Sequence, residues 1–161
     1  QAILELQKNN FYIRLDVYGH LPVKNLSRFN QYLNKTKGYI KYKGMIDHKK
    51  IPQIISKHKV FIFPSRRESL GLVGLESLAV GVPVIGSNLK STRIYLKNKL
   101  NSLIFETGNI NDLKRKIKKI FEEPELYEYL RSNAKKSVNH YRESEVIKNL
   151  NNRIFYEISS L

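Results

Sequence analysis

Two glutamates, Glu68 and Glu76, stand eight positions apart on either side of Gly71. They lie in the segment Val60–Ser87, VFIFPSRRESLGLVGLESLAVGVPVIGS. Val60–Phe63 is a short apolar run that ends at Pro64 and reads as a buried strand. Leu72–Val80 reads as a helix closed by Gly81, and Pro83–Gly86 as the next strand. The loop Ser65–Gly71 therefore sits at the carboxyl end of a strand. Gly71 lets the backbone come close to a ligand and take torsions closed to other residues. The free N–H groups and positive dipole end of the following helix suit a phosphate. A carboxylate suits hydroxyls instead, because it accepts hydrogen bonds and donates none. Glu68 belongs to the loop, and Glu76 lies about one turn inside the helix. Donors for a diphosphate beside acceptors for hydroxyls describe a pocket for a nucleotide sugar.

The surrounding sequence alternates short apolar runs with helical patterns, the signature of βα units on a parallel sheet. Strands are expected at Ile13–Tyr18, Tyr39–Lys43 and Ser102–Phe105 as well. Lys24–Lys37 carries Leu26, Phe29 and Leu33 on one helical face, and Lys50–Ser56 forms another helix with Pro52 in its first turn. From Ile110 onward the pattern is helical only. One helix carries Ile110, Leu113, Ile117, Ile120 and Phe121, a second starts at Pro124, and a last one steps through Val146, Leu150, Ile154 and Ile158. The fold class is α/β: a Rossmann-like open parallel sheet with helices on both faces and a helical C-terminal tail. In such sheets ligands bind beyond the carboxyl ends of the strands.

Length and composition agree. The chain has 161 residues, 41% of them hydrophobic, enough for one domain with a real core. It has no cysteine, which excludes disulfides, thiolate zinc sites and a cysteine nucleophile, and fits a cytoplasmic protein. No run approaches the roughly 18 apolar residues of a membrane span. The net charge of +15 attracts nucleic acid, anionic lipid or a nucleoside diphosphate alike, or simply keeps a Lys-rich surface wet.

The segment resembles the C-terminal domain of the retaining glycosyltransferases of GT-B fold, the group 1 family. The resemblance rests on Pro64-Ser65, Glu68, Gly71, Glu76, Ala79, Gly81 and Pro83-Val84-Ile85, in that order. It extends to Lys43-Gly44-Met45-Ile46 before the preceding helix, to Asn101–Phe105, and to the helical tail. It implies that residues 1–161 are a single nucleotide-sugar-binding domain, the C-terminal half of an enzyme whose N-terminal domain binds acceptor. It implies that Glu76 holds the ribose hydroxyls and that Glu68, the catalytic candidate, touches the donor sugar or its phosphate side. The backbone at Leu70, Gly71, Leu72 and Val73 would cradle sugar and diphosphate, and Gly44, Met45 and Ile46 would pack by the base. The enzyme would move a sugar from a nucleoside diphosphate to a glycan or lipid-linked acceptor, in bacterial-type surface polysaccharide synthesis, with this fragment inactive alone. No cofactor or metal is implied, in keeping with the lack of an Asp-x-Asp pair or a His pair at ligand spacing. The implied partners are the donor, the enzyme's own N-terminal domain and an anionic membrane surface at its cytoplasmic face, with no nucleic acid.

The chain also departs from the family. The family's Gly-Gly-x-x-Glu loop is Lys90-Ser91-Thr92-Arg93-Ile94 here, and its Asn-Gly is Asn101-Ser102. The Arg and Lys that neutralise the diphosphate in the family are expected before residue 1. Arg66 and Arg67 are either phosphate ligands or a solvated pair. His20, His48, His58 and His140 read as scattered surface residues, with His20 the one to watch beside Gly19. The Lys114–Lys119 cluster is a wet helix face or a contact for anionic lipid. Two other classes compete: a nucleotide-sugar epimerase domain on this fold, and a basic nucleic-acid-binding α/β module. The last needs exposed aromatics among the cations, whereas most Tyr and Phe fall in core patterns.

Overall fold

A computed structural model describes residues 1–141. Helix α1 (Ala2–Lys8) leads into β1 (Leu15–Tyr18), α2 (Val23–Lys35) and β2 (Ile40–Gly44). A 3₁₀ turn, His48–Lys50, runs into the short α3 (Ile51–Ile55). Then follow β3 (Phe61–Phe63), α4 (Leu72–Ala79), β4 (Val84–Ser87), a 3₁₀ turn at Thr92–Ile94, and β5 (Ser102–Phe105). Helices α5 (Ile110–Glu122) and α6 (Pro124–Lys136) and a 3₁₀ turn at Asn139–Tyr141 complete the described chain. The expected helix through Val146 and Ile158 lies outside the described residues.

All strand pairs are parallel, as the βα alternation predicts. They form two ladders, β1-β2 and β3-β4-β5, where one open sheet was expected. The first is in register from Leu15↔Ile40 to Tyr18↔Gly44, with an irregularity between Val17 and Tyr18. The second pairs Phe61↔Val84 and Val84↔Ser102 through to Ser87↔Phe105. One core joins them: Ile13 packs with Ile85, Leu103, Phe105, Ile117 and Ile120, and Leu15, Ile40 and Ile62 flank that cluster. β4 is buried at all four positions, as a central parallel strand should be.

Strand and helix boundaries follow local chemistry. β1 starts at Leu15, not Ile13, because its ladder begins with Leu15 N–H donating to the Tyr39 carbonyl at 2.8 Å. The Asn109 side chain caps α5 by accepting from Asp112 N–H at 2.9 Å. Pro124 opens α6, where its missing N–H costs nothing.

Helix α2 forms where its periodicity places it. Its apolar stripe faces no buried core: Leu26 is 45% exposed, no residue of the helix is buried, and Phe29 meets the Tyr42 ring edge-on at 5.4 Å. Periodicity identified the stripe, but not the amount of surface waiting to receive it.

The Lys114–Lys119 cluster is largely spent on intramolecular pairs. Lys114 pairs with Glu5 of α1, and Arg115 and Lys116 with Asp112. Lys118 and Lys119 reach Glu122 and Glu123 one turn on. The hydrogen bond from Lys114 holds the Glu5 carboxyl below its ordinary value. Burial pushes Asp112 up, but donation from Glu106 N–H and Arg115, with the Lys116 charge, brings it below its ordinary value. A depressed carboxyl contributes stability above its unfolded pKa and loses it as pH falls through the folded one. Unfolding free energy measured by urea should therefore fall below about pH 4, in the carboxylate range.

Asn101 is fully buried and fastens three segments. Its Oδ1 accepts from Lys97 N–H at 2.8 Å, and its Nδ2 donates to the Tyr95 carbonyl at 2.8 Å and to Ser137 Oγ at 2.7 Å. An N101A variant leaves these groups unpaired and should lose about 2–4 kcal/mol, read from chemical denaturation.

Candidate functional site

The 3₁₀ turn after β2 touches α4, the helix that follows β3 and its loop. The loop after β3 runs from Pro64 to Gly71, which takes a left-handed conformation at φ 71°, ψ 54° and begins α4 without a side-chain cap. A Cβ at this position would lie 2.8 Å from two Phe63 ring atoms and 3.0 Å from the Tyr95 hydroxyl. Glycine is thus required here both by backbone torsion and by space. Leu70 and Leu72 flank it at 37% and 53% exposure, so this turn is open to solvent.

Glu76 sits on α4 with its side chain 22% exposed. One carboxylate oxygen, Oε1, lies 3.0 Å from His48 Nε2. The other, Oε2, is buried and has no hydrogen-bond partner among the described residues. That is a costly arrangement for a charged acceptor. The His48 contact ties the 3₁₀ turn after β2 to α4 across 28 positions of sequence. It thereby brings the Gly44-Met45-Ile46 segment to the same edge as Glu76. Gly44 ends β2, its carbonyl accepting from Gly19 N–H at 2.9 Å, and Met45 is 74% exposed.

Glu68 is exposed, and its Oε1 accepts from Ser65 Oγ at 2.9 Å. It forms no ion pair with Arg66 or Arg67, both exposed. Burial, followed by the charge of Glu68, pushes the Tyr95 hydroxyl up to about 12, so that group stays protonated.

Histidine corrects another expectation. The one that reaches the site is His48, while His20 is exposed and His58 turns to the Ile54 carbonyl and to Asp16. No sequence signal separates His48 from the other three. Tyr95 and Gly74 also went unmarked, although a glycine inside a helical pattern is itself a sign of close approach. Beyond β4, where the family's glycines and acid are absent, Arg93 forks onto Asn88 Oδ1 at 2.9 and 2.6 Å. Among the described residues no group of three potential ligands could hold a metal ion.

The aromatics are less confined to the core than their spacing suggested. Tyr12 is 57% exposed and Tyr42 36%. Tyr12 and Tyr39 meet at 5.4 Å with their rings tilted by 32°, in a cleft of about 610 Å³ that Lys8, Lys35 and Lys37 also line.

The sequence model of the family described as "Glycosyl transferases group 1" matches residues 1–137. The chain belongs to this family. Its relatives include the capsular polysaccharide biosynthesis glycosyltransferase CapM of Staphylococcus aureus, 28% identical over 148 residues, which cover 91% of this chain and 38% of CapM. Among solved structures, Alr3699/HepE of Anabaena in complex with UDP superposes with a TM-score of 0.78 at 18% identity, over 99% of this chain and 44% of that one. The C-terminal domain of the group 1 family protein LpcC from Francisella tularensis superposes at 0.76 with 20% identity, over 88% of this chain and 76% of that one. The group 1 chain is thus a Rossmann-like GT-B domain in fold, and it spans less than two-fifths of the length of the curated relatives it matches.

Proposed function

We propose that residues 1–161 form the donor-binding domain of a glycosyltransferase acting on a nucleoside diphosphate sugar, with an acceptor-binding N-terminal domain completing the enzyme. The observation that carries this reading is Glu76, a part-buried carboxylate with one oxygen unpartnered among the described residues, on the helix that starts at Gly71. Ribose hydroxyls would supply the donors that Glu76 lacks, displacing His48 from Oε1. The diphosphate would meet the N–H groups of Leu72 and Val73 at the positive end of α4. Leu70 and Gly71 would line the sugar, Glu68 would approach it from the loop, and Gly44, Met45 and Ile46 would flank the base.

Transfer would proceed by stabilising the diphosphate as negative charge develops on its leaving oxygen, with retention of anomeric configuration. On this reading no metal is required, with backbone donors and the Arg and Lys expected before residue 1 carrying the charge. The likeness to CapM supports polysaccharide synthesis as the setting, and the UDP held by HepE supports a nucleotide donor. The whole enzyme would work at the cytoplasmic face of an anionic membrane. Incubating it with UDP-, GDP- and ADP-sugars tests the reading. One sugar nucleotide should release its diphosphate only when acceptor glycan is added. Conversion of the sugar without acceptor would favour an epimerase, and no turnover of any donor would contradict both.

The Tyr12–Tyr39 cleft favours a second reading beside this one, binding of a polyanion on that flank. Affinity for single-stranded DNA that falls steeply with salt would support it.

A further inference from the structure

We propose that Tyr95 is a positioning residue for the donor crevice: its hydroxyl holds the Gly71 carbonyl and so aims the Leu72 N–H toward the diphosphate. This rests on the reading of the crevice given above and names a residue that acts on it from another loop.

Tyr95 follows the 3₁₀ turn beyond β4 and is 1% exposed, packed with Phe63, Leu78 and Leu96. Its hydroxyl donates to the Gly71 carbonyl at 2.7 Å, across 24 positions of sequence. The same carbonyl accepts from Gly74 N–H at 2.9 Å. A trans peptide is planar, with its carbonyl and N–H pointing in opposite directions. Fixing the Gly71 oxygen therefore fixes the Leu72 N–H, which points away from Tyr95.

The fit is reciprocal. A Cβ at Gly74 would lie 2.8 Å from the Tyr95 hydroxyl and 3.2 Å from its ring. A Cβ at Gly71 would lie 3.0 Å from the same hydroxyl. Two glycines thus leave the space that one tyrosine fills. Packing alone would be served as well by phenylalanine, since a buried hydroxyl costs free energy until it is bonded. What tyrosine adds is the hold on this one carbonyl. With its pKa raised to about 12, mainly by burial, the hydroxyl remains a donor at any working pH.

The test compares Y95F with wild type in the full 161-residue chain, by calorimetric titration with UDP, GDP and ADP and by thermal unfolding. A V138A variant, altered in the same cluster but without contact to Gly71, serves as control. Y95F should bind the preferred nucleotide about three- to tenfold more weakly, the worth of one hydrogen bond. V138A should unfold at lower temperature yet bind as wild type does. Equal binding by Y95F and wild type would overturn the proposal, as would equal weakening in V138A, which would mark the effect as general destabilisation. Failure of wild type to bind any of the three would instead remove the crevice reading, and this proposal with it. Should Y95F not fold, the wild-type spectrum decides. A slowly exchanging Tyr95 hydroxyl proton with a nuclear Overhauser effect to the Gly74 amide supports the hold, and a freely exchanging one overturns it.

Discussion

An E76A variant should stay folded and lose most of its affinity for the nucleoside diphosphate. The two halves of that result have one cause. Glu76 Oε2 is buried without a partner among the described residues, so the carboxylate is held at a cost. Removing it relieves that cost, and thermal unfolding should not move down by more than a few degrees. A ribose hydroxyl donating to a charged acceptor is worth about 1.5–3 kcal/mol, so loss of even one such bond should lower affinity by about 10- to 100-fold. E76Q keeps the shape but replaces one acceptor by a donor, and should fall between E76A and wild type. Calorimetric titration paired with melting curves checks both halves. A large drop in melting temperature with affinity intact would make Glu76 a structural residue.

Gly71→Ala should cost both stability and binding. The left-handed torsion at φ 71° costs a non-glycine residue about 1–2 kcal/mol. The added methyl also meets Phe63 at 2.8 Å, and Phe63 is 9% exposed and packed with Leu78, Tyr95 and Leu96, with little room to yield. Overpacking of this kind adds about 1–3 kcal/mol, giving a total of about 2–5 kcal/mol by urea unfolding. Nucleotide affinity should fall with it, because relief of the clash displaces the turn whose N–H groups would meet the diphosphate in the proposed complex. Gly74→Ala has ordinary helical torsions and meets Tyr95 alone, so its cost should shrink in a Y95F background. Unchanged stability of Gly71→Ala would show that the turn is not held as described.

The fold was legible wherever one local rule dominates. β5 falls at the residues where its apolar run lies, Ser102–Phe105, and α5 begins behind Asn109, a strong capping residue. The ends of β1 and α3 were less legible, because ladder partners and 3₁₀ turns set them. α2 shows the limit of periodicity, which identifies an apolar stripe and says nothing of its cover. The ion pairs of Lys118 and Lys119 were in plain view as i,i+4 spacings, whereas the Glu5–Lys114 pair depends on α1 packing against α5. In the site, the motif Glu68–Gly71–Glu76 was legible because it is contiguous. His48 and Tyr95 were not, because each reaches the crevice from a different loop, and no local pattern records such a meeting. The charge excess was countable, but its uneven use was not. Residues 1–60 hold twelve basic and three acidic side chains, while α5 pairs all four of its lysines.

The central claim is that a nucleoside diphosphate seats between Gly71 and Glu76. Backbone amide spectra of the isotope-labelled chain, recorded through titrations with UDP, GDP and ADP, test it most directly. One nucleotide should produce saturable shifts that are largest from Leu70 to Glu76, with smaller ones at Met45 and Ile46. Saturable shifts confined to other faces of the domain, or none with any of the three at millimolar concentration, would contradict it.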